Sequence, residues 1–469
     1  MVKSLASGTA SPPTSGALPV GLKLGWATGA MGVAILMNGI AGVILVFASS
    51  ILKIDPWLAG TIIFVSKLVD VVTDPVVGMW SDRHRGPKGR RRPFMLWGSI
   101  LAAISFAVIF ATPVFENQYL TAAYLFLALC LYAFAYTLFN IPYLSMPAEM
   151  TDDYHERSSI HGYRMIFISI GSLVATSGVK FSLDSLGMNE WQSYAIVGFA
   201  CGVIILVSTM IAFLTTSSAR FTAPEPVNDK GNFDQFVVEM KAVSDNRHFL
   251  RLIGVKFAQL MGIMASGAGF AYFFVQYLGS DFKVLAWFGL AVSASTLVFS
   301  PILVRLSRSI GKKNVYYIAA GVNVLYALSW SFAGPGDPDW MIIARALLVG
   351  IAFTGNVVMA MSMLTDIINQ DAERTGIRRE GAFTSLYSFV EKLTGALGPL
   401  IVGVALSYAG FDKNLPLGAP QGENVDTVLL MSVSWLPALF GVVAVWLLSG
   451  YTLTEDDINS TDPDNEKHS

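Results

Sequence analysis

Apolar residues run through most of the chain in long stretches, and charges gather in short clusters between them. A helix that crosses a bilayer takes about 20 mostly apolar residues. Twelve stretches of that order, bounded by charges or by Gly and Pro clusters, are readable from the pattern. Six precede the longest polar interruption: Leu22 to Ser50, Trp57 to Trp80, Pro93 to Thr112, Tyr119 to Met146, Ile160 to Val179 and Trp191 to Thr215. Six follow it: Phe249 to Leu278, Phe282 to Leu306, Val315 to Phe332, Trp340 to Ile368, Ala382 to Tyr408 and Val425 to Ser449. The expected organisation is a tail over 1–21, a six-helix bundle over 22–216, a polar middle loop over 217–247, a second bundle over 248–450 and a tail over 451–469.

Composition sharpens this picture. Of 469 residues, 54% are hydrophobic and 14% charged, against about 25% charged in ordinary soluble domains. Too few polar side chains exist to coat water-soluble globules, so the fold class is all-α and polytopic in a membrane. The net charge of -2 gives no ground for a nucleic-acid partner. Cys130 and Cys201 lie in apolar runs, where a thiol acts as a small hydrophobe.

Short basic loops stay on the cytoplasmic side. Arg83, Arg85, Lys88, Arg90, Arg91 and Arg92 lie between the second and third stretches, Arg305, Arg308, Lys312 and Lys313 between the eighth and ninth, and Arg374, Arg378 and Arg379 between the tenth and eleventh. The intervening loops hold scattered lysines such as Lys53, Lys180, Lys283 and Lys413. This places both termini in the cytoplasm and the chain in the inner (plasma) membrane. Each half also carries a basic turn after its second helix, Ser81-Asp82-Arg83 to Gly89-Arg90-Arg91 and Arg305-Leu306-Ser307-Arg308 to Gly311-Lys312-Lys313. Such an echo is expected of transporters built from repeats that hold substrate near the midplane.

Charges inside the apolar runs carry the functional reading. An Asp at mid-membrane costs roughly 2.5–3.5 kcal/mol, so it needs a reason to be there. The second stretch holds Lys67, Asp70 and Asp74, spaced three and four apart on one helix face. Two carboxylates this close repel, and one is protonated unless a cation lies between them. That describes a site for Na⁺ or H⁺, with Na⁺ as the metal ion; a structural pair of Lys67 with Asp70 is the alternative. In the eleventh stretch Glu391 and Lys392 are adjacent and cannot point the same way. Lys392 is the one expected at the cavity, exchanging partners with Asp70 or Asp74 as the cation comes and goes. Tyr132, Tyr136, Thr137 and Asn140 precede Pro142 on the fourth stretch and offer oxygens one turn apart. Trp26 and other aromatics suit either packing or stacking on a solute, and Asn38 and Asn356 suit either a cavity wall or interhelical hydrogen bonds. The run Asp82 to Arg92 reads as a topology determinant and cytoplasmic gate, with acids such as Asp152, Glu156 or Asp366 as partners. No G-x-x-x-x-G-K-[ST], H-E-x-x-H, G-x-S-x-G or Cys/His metal spacing occurs. Hence no enzyme and no cofactor are expected, only a coupling ion.

Several motifs together carry a resemblance. They are Lys67-Leu-Val-Asp70-Val-Val-Thr-Asp74-Pro75 with Ser81-Asp82-Arg83 and Gly89-Arg-Arg-Arg-Pro93-Phe94; Asn140-Ile-Pro-Tyr143 leading to His155-Glu-Arg157 and Tyr163-Arg164; and Asp366 leading to Arg374-Thr-Gly376-Ile-Arg378 and Phe389-Val-Glu-Lys392. In combination they are similar to the glycoside-pentoside-hexuronide:cation symporter family of the major facilitator superfamily. The resemblance implies two six-helix bundles and a cation site at Asp70 and Asp74 with Thr137 and Thr73 supplying oxygens. It also implies Lys67 before the acidic pair, a cavity arginine at Arg164 and Lys392 near the cation. Melibiose-type members carry an Asp on helix one and another on helix four; here Met31 to Asn38 holds no acid and the helix-four position is Asn140, which weighs against galactoside specificity. The expectation is cation-coupled symport of a sugar or glycoside-like small molecule by a monomer among membrane lipids. A lysolipid or other amphipathic solute is the alternative, and a solute sensor that moves nothing is a remote one.

Overall fold

The computed structural model describes residues 18–41, 43–84, 91–151, 159–160, 162–172, 174–175, 190–218, 241, 243, 245–280, 282–376, 379–416 and 418–452. Among them every regular element is helical: α1 (Val20–Ala41), α2 (Pro56–Arg83), α3 (Arg92–Phe110), α4 (Gln118–Met150), α5 (helical at 162–172), α6 (Glu190–Thr215), α7 (Arg247–Tyr272), α8 (Phe282–Ile310), α9 (Lys312–Ser329), α10 (Asp339–Thr375), α11 (Glu380–Tyr408) and α12 (Glu423–Leu430, continued by Leu436–Ser449). Ten of these are long and apolar enough to cross a membrane. The second expected span is a helix of 28 residues whose interior carries Lys67, Asp70 and Asp74, and the fifth lies partly outside the described residues.

The helices overrun the apolar stretches that announce them, because a helix keeps its backbone bonds until a cap or turn ends it, whereas hydropathy marks only the part in hydrocarbon. α4 starts where Asn117 accepts the Tyr119 N–H, and α7 where Asn246 accepts the N–H groups of His248 and Phe249. α10 continues seven residues past its apolar run to Thr375.

In the N-terminal half α3 packs on α4 and α6, α1 on α6, and α2 on α4; in the C-terminal half α7 packs on α11 and α12, while α8 and α9 both pack on α10. α1 and α7 are the most enclosed spans and α8 the least. Each of these inner helices ends in a π turn, Phe47–Ile51 beyond α1 and Phe273–Tyr277 beyond α7. The two turns meet: Tyr272 donates its hydroxyl proton to the Leu45 carbonyl at 2.9 Å and contacts Ser49.

α2 and α11 form the principal contact between halves. Their backbones approach closely because glycine lies on both sides: a Cβ at Gly403 would lie 2.3 Å from the Pro56 carbonyl oxygen, and one at Gly60 2.8 Å from that of Pro399. Small residues at a membrane-helix interface allow this approach. The approach fixes the register that carries Lys392 to the level of Asp70, about three turns along α2 from Gly60 and about three along α11 from Gly403.

Candidate functional site

Asp70 and Asp74 project from one face of α2 toward α4 and α11. The Thr137 hydroxyl lies 3.0 Å from Asp70 Oδ1 and 2.7 Å from Asp74 Oδ1. One hydroxyl has one proton, so Thr137 donates to one carboxylate at a time and offers the cluster an oxygen. Thr73 donates to the Asp70 carbonyl at 3.3 Å and lies 3.5 Å from Thr137 Oγ1. From across the interface Lys392 pairs with Asp74, lies 3.5 Å from Asp70 Oδ2 and donates to the Asp70 carbonyl at 3.3 Å. An ammonium group thus sits among carboxylate, hydroxyl and carbonyl oxygens, the donor set that hard monovalent or divalent cations prefer. Among the described residues no cluster of three or more His, Cys, Asp or Glu forms. Lys67, one turn before Asp70, is within electrostatic reach of both acids and of Lys392. The alternative pairing of Lys67 with Asp70 does not form within 4 Å among the described residues, where Lys392 is the cation paired with both acids.

The fourth-helix residues join this cluster to α5. Tyr136 interacts electrostatically with Asp70, Asp74 and Arg164 and lies beside Asn140, and Tyr143 lies beside Arg164. Asn140 Oδ1 and Arg164 Nε are buried and lack hydrogen-bond partners among the described residues, so an acceptor and a donor stand ready next to the ion cluster. Of the two uses open to Trp26, the geometry is that of packing: it is fully buried in the N-terminal half, stacked on Tyr143 at 4.6 Å, and its Nε1 donates to the Tyr143 carbonyl at 3.2 Å. A large indole flanked by Gly25 and Gly29 is better placed to pack than to meet solute. Asn38 and Asn356 line a different cavity, between the halves. The gate expectations divide. Asp366 is held by Lys312 at 2.7 Å, inside its own half. Arg157, Arg378, Asp152 and Glu156, and the side chains of Asp82 and Arg83, lie outside the described residues.

Two groups of residues were missed or passed over by the sequence reading. The first is the partner of Glu391. Lys256, buried on α7, pairs with Glu391 at 3.1 Å and lies over the Tyr387 ring, 4.7 Å from its centroid. Glu391 itself is 46% exposed and shares a face with exposed Ser388 and with Gly395, a small and polar stripe that suits a wet interior rather than lipid. The second is a clasp at the end of the molecule that carries Asp55. Lys413 pairs with Asp55 at 2.7 Å and donates to Gln118 Oε1 at 2.6 Å, Gln118 Nε2 donates to Asp55 Oδ2 at 2.9 Å, and the Trp57 N–H donates to Ser407 at 2.9 Å. The clasp has no signal in a single sequence, because any loop lysine looks alike until distant segments meet, whereas Lys256 carries the same signal as Lys392, a lone cation inside an apolar run.

Burial works to raise the Asp55 carboxyl, but the hydrogen bonds from Lys413 and Gln118 and the Lys413 charge outweigh it and hold the group below its ordinary value. For a depressed acid the stabilisation is present above the ordinary carboxylate range and is lost as pH falls through the lowered value. The clasp is therefore closed at neutral pH. Lys413→Met is expected to open it at neutral pH, read as faster amide hydrogen exchange over residues 53–58 and 411–416; wild type should show the same acceleration only in strong acid. Unchanged exchange in the variant would remove the clasp's role.

Comparison with known proteins agrees with this architecture. The sequence profile described as MFS/sugar transport protein matches residues 25–455. A symporter of Synechocystis sp. is 24% identical, covering 92% of this chain and 94% of its own. A protein of Escherichia coli strain K12, named provisionally as a glycoside/cation symporter, is 26% identical over 90% of this chain and 89% of its own. The crystal structure of a mutant form of the nucleoside transporter NupG superposes with a TM-score of 0.65 at 16% identity, covering 92% of this chain and all of that one. The last likeness concerns the fold alone.

Proposed function

Starting from the fact that the chain belongs to the MFS/sugar transport protein family, we propose that it is a secondary transporter in which Na⁺ or H⁺ binding at Asp70 and Asp74 drives symport of a sugar or glycoside-like solute. The observation that carries this reading is the placement of Lys392 between the two carboxylates. The protein's own cation balances the acids when no coupling ion is bound, and an incoming cation takes its place. Release of Lys392 then changes the α2–α11 contact, which is also the main contact between the halves. Arg164, Asn140 and Tyr136 receive the solute beside the cluster, so ion and solute share α2 and α4. One charge crossing 100 mV is worth about 2.3 kcal/mol, which adds to the free energy of an exchange in which the incoming cation replaces Lys392 at the carboxylates.

By the distribution of basic loops, the Asp55 end is the outer side and the Lys312–Asp366 end the cytoplasmic one. The hydrogen bonds and ion pairs joining the halves, among the described residues, gather from Asp55 down to Lys392. The described contacts thus hold the outer end closed, and the same distribution of basic loops supports cytoplasmic termini.

Purified protein in proteoliposomes tests the reading. Solutes are first screened by thermal stabilisation over sugars and uronides in Na⁺ or choline buffers at two pH values. Uptake is then measured with and without an imposed Na⁺ or proton gradient. Accumulation above equilibrium only with a gradient supports symport, and uptake indifferent to both gradients overturns it.

A further inference from the structure

A cavity of about 350 Å³ lies between the halves and runs into the C-terminal half. This is the scale at which small-molecule sites begin. It is separate from the ion cluster: Asp70, Asp74, Thr137, Arg164 and Lys392 do not line it. Its walls are Phe270 on α7, Phe288 on α8, Tyr326 on α9 and Phe353 on α10, and it opens toward Asn38 on α1. The Phe270 and Phe288 rings are held 5.3 Å apart and tilted by 44°, with the buried Trp330 behind Phe270 at 5.6 Å. The walls are therefore fixed surfaces.

One polar group at this wall is left over. Tyr316 donates its hydroxyl proton to Gln259 Oε1 at 2.8 Å, and Gln259 Nε2 donates to Asn356 Oδ1 at 3.1 Å. The relay ends at Asn356 Nδ2, on a side chain 5% exposed, with no partner among the described residues. A buried donor left unsatisfied costs free energy, and here it lies on the wall of a space large enough for a ligand. Asn38, Ser266 and Asn323 also line the space; aromatic walls with a few polar groups, among them a buried donor without a partner among the described residues, suit a planar ring that carries or adjoins an acceptor oxygen.

We propose that this cavity holds an aromatic aglycone of the transported solute, with Asn356 donating to the oxygen next to the ring, while the polar head lies toward the N-terminal half. This rests on the transport reading above and names the substrate class within it. The space itself depends on glycine: at Gly267 and Gly289, both on the wall, an added Cβ would meet nothing within 4 Å. Larger side chains can therefore fill the cavity without displacing backbone.

The test uses full-length protein in lipid nanodiscs and matched phenyl and methyl glycosides of several sugars, with binding read by ligand-induced thermal stabilisation. For at least one sugar the phenyl member is expected to bind about tenfold or more tighter than the methyl member. Gly267→Leu and Gly289→Leu should each erase that advantage and leave the methyl member unchanged, and Asn356→Leu should reduce it. Equal binding within every pair, no stabilisation by any phenyl glycoside, or an advantage that survives both filled variants would overturn the proposal. So would a response confined to a lysophosphatidylcholine arm, which would assign the space to an acyl chain. The Asp70→Asn, Asp74→Asn double variant separates the two readings, since it should lose gradient-driven uptake while keeping the phenyl-to-methyl ratio.

Discussion

Asp74→Asn is expected to abolish gradient-driven accumulation while leaving the protein folded. In the resting cluster Asp74 is the acid that Lys392 contacts most closely, and it also accepts from Thr137. The neutral amide removes one of two negative charges facing Lys392 and Lys67. Removing one partner of a buried ion pair costs about 3–5 kcal/mol, and a loss of that size in cation binding corresponds to about two to four orders of magnitude in affinity. Asp70 remains to hold Lys392 at its present 3.5 Å, so the fold survives on the weaker pair. Thr137→Ala removes a neutral oxygen and should cost about tenfold. The check is Na⁺- or proton-dependent thermal stabilisation together with driven uptake. A variant that still concentrates solute would show that the coupling ion binds elsewhere.

The elements that were legible in the sequence share one physical property: they stand out against an apolar background. Asp70 and Asp74 are visible because two acids on one face of a membrane helix have no inexpensive explanation, and Lys392 because a lone cation in an apolar run needs a partner. Thr137 stood out only as one of four polar or aromatic residues before Pro142, and the resemblance assigned it to the cation, since its hydroxyl alone does not distinguish it from the many Ser and Thr that bond back to their own helix, as Thr394 does to Val390. The membrane fold class followed from hydropathy, and the ends of α2 and α10 were missed because helices outrun their apolar cores. Asp55, Gln118 and Lys413 could not be joined by reading, since they come from three loop or helix-end positions brought together only by packing of the halves. Trp26 illustrates the reverse difficulty: an aromatic in an apolar stretch is the same letter whether it faces solute or, as here, stacks on Tyr143. The C-terminal cavity is made of missing atoms at Gly267 and Gly289, and a void leaves no mark in a single chain.

Glu391→Gln and Lys256→Met remove the two sides of one ion pair, and their effects should be very unequal. Lys256 is 6% exposed and Glu391 46%. Taking the carboxylate away leaves an ammonium buried on α7 with only the Tyr387 ring for company. An uncompensated buried charge of this kind costs about 3 kcal/mol or more, of which the ring restores about 1 kcal/mol. Taking the lysine away leaves a carboxylate that already meets water at the interior stripe, and exposed acids lose about 1 kcal/mol or less when a partner goes. The expected result is a large fall in melting temperature for Glu391→Gln, a small one for Lys256→Met, and recovery to near the smaller value when both are combined, because the double variant no longer buries an unpaired charge. The recovery is the decisive reading: neighbouring substitutions that merely loosen packing add, whereas a pair linked by charge shows a coupling of the opposite sign. Equal single effects, or a double variant as unstable as the sum, would mean that Glu391 does not hold Lys256 in the membrane. The adjacent Lys392 would then be, among the described residues, the only α11 charge with a structural partner across a helix interface.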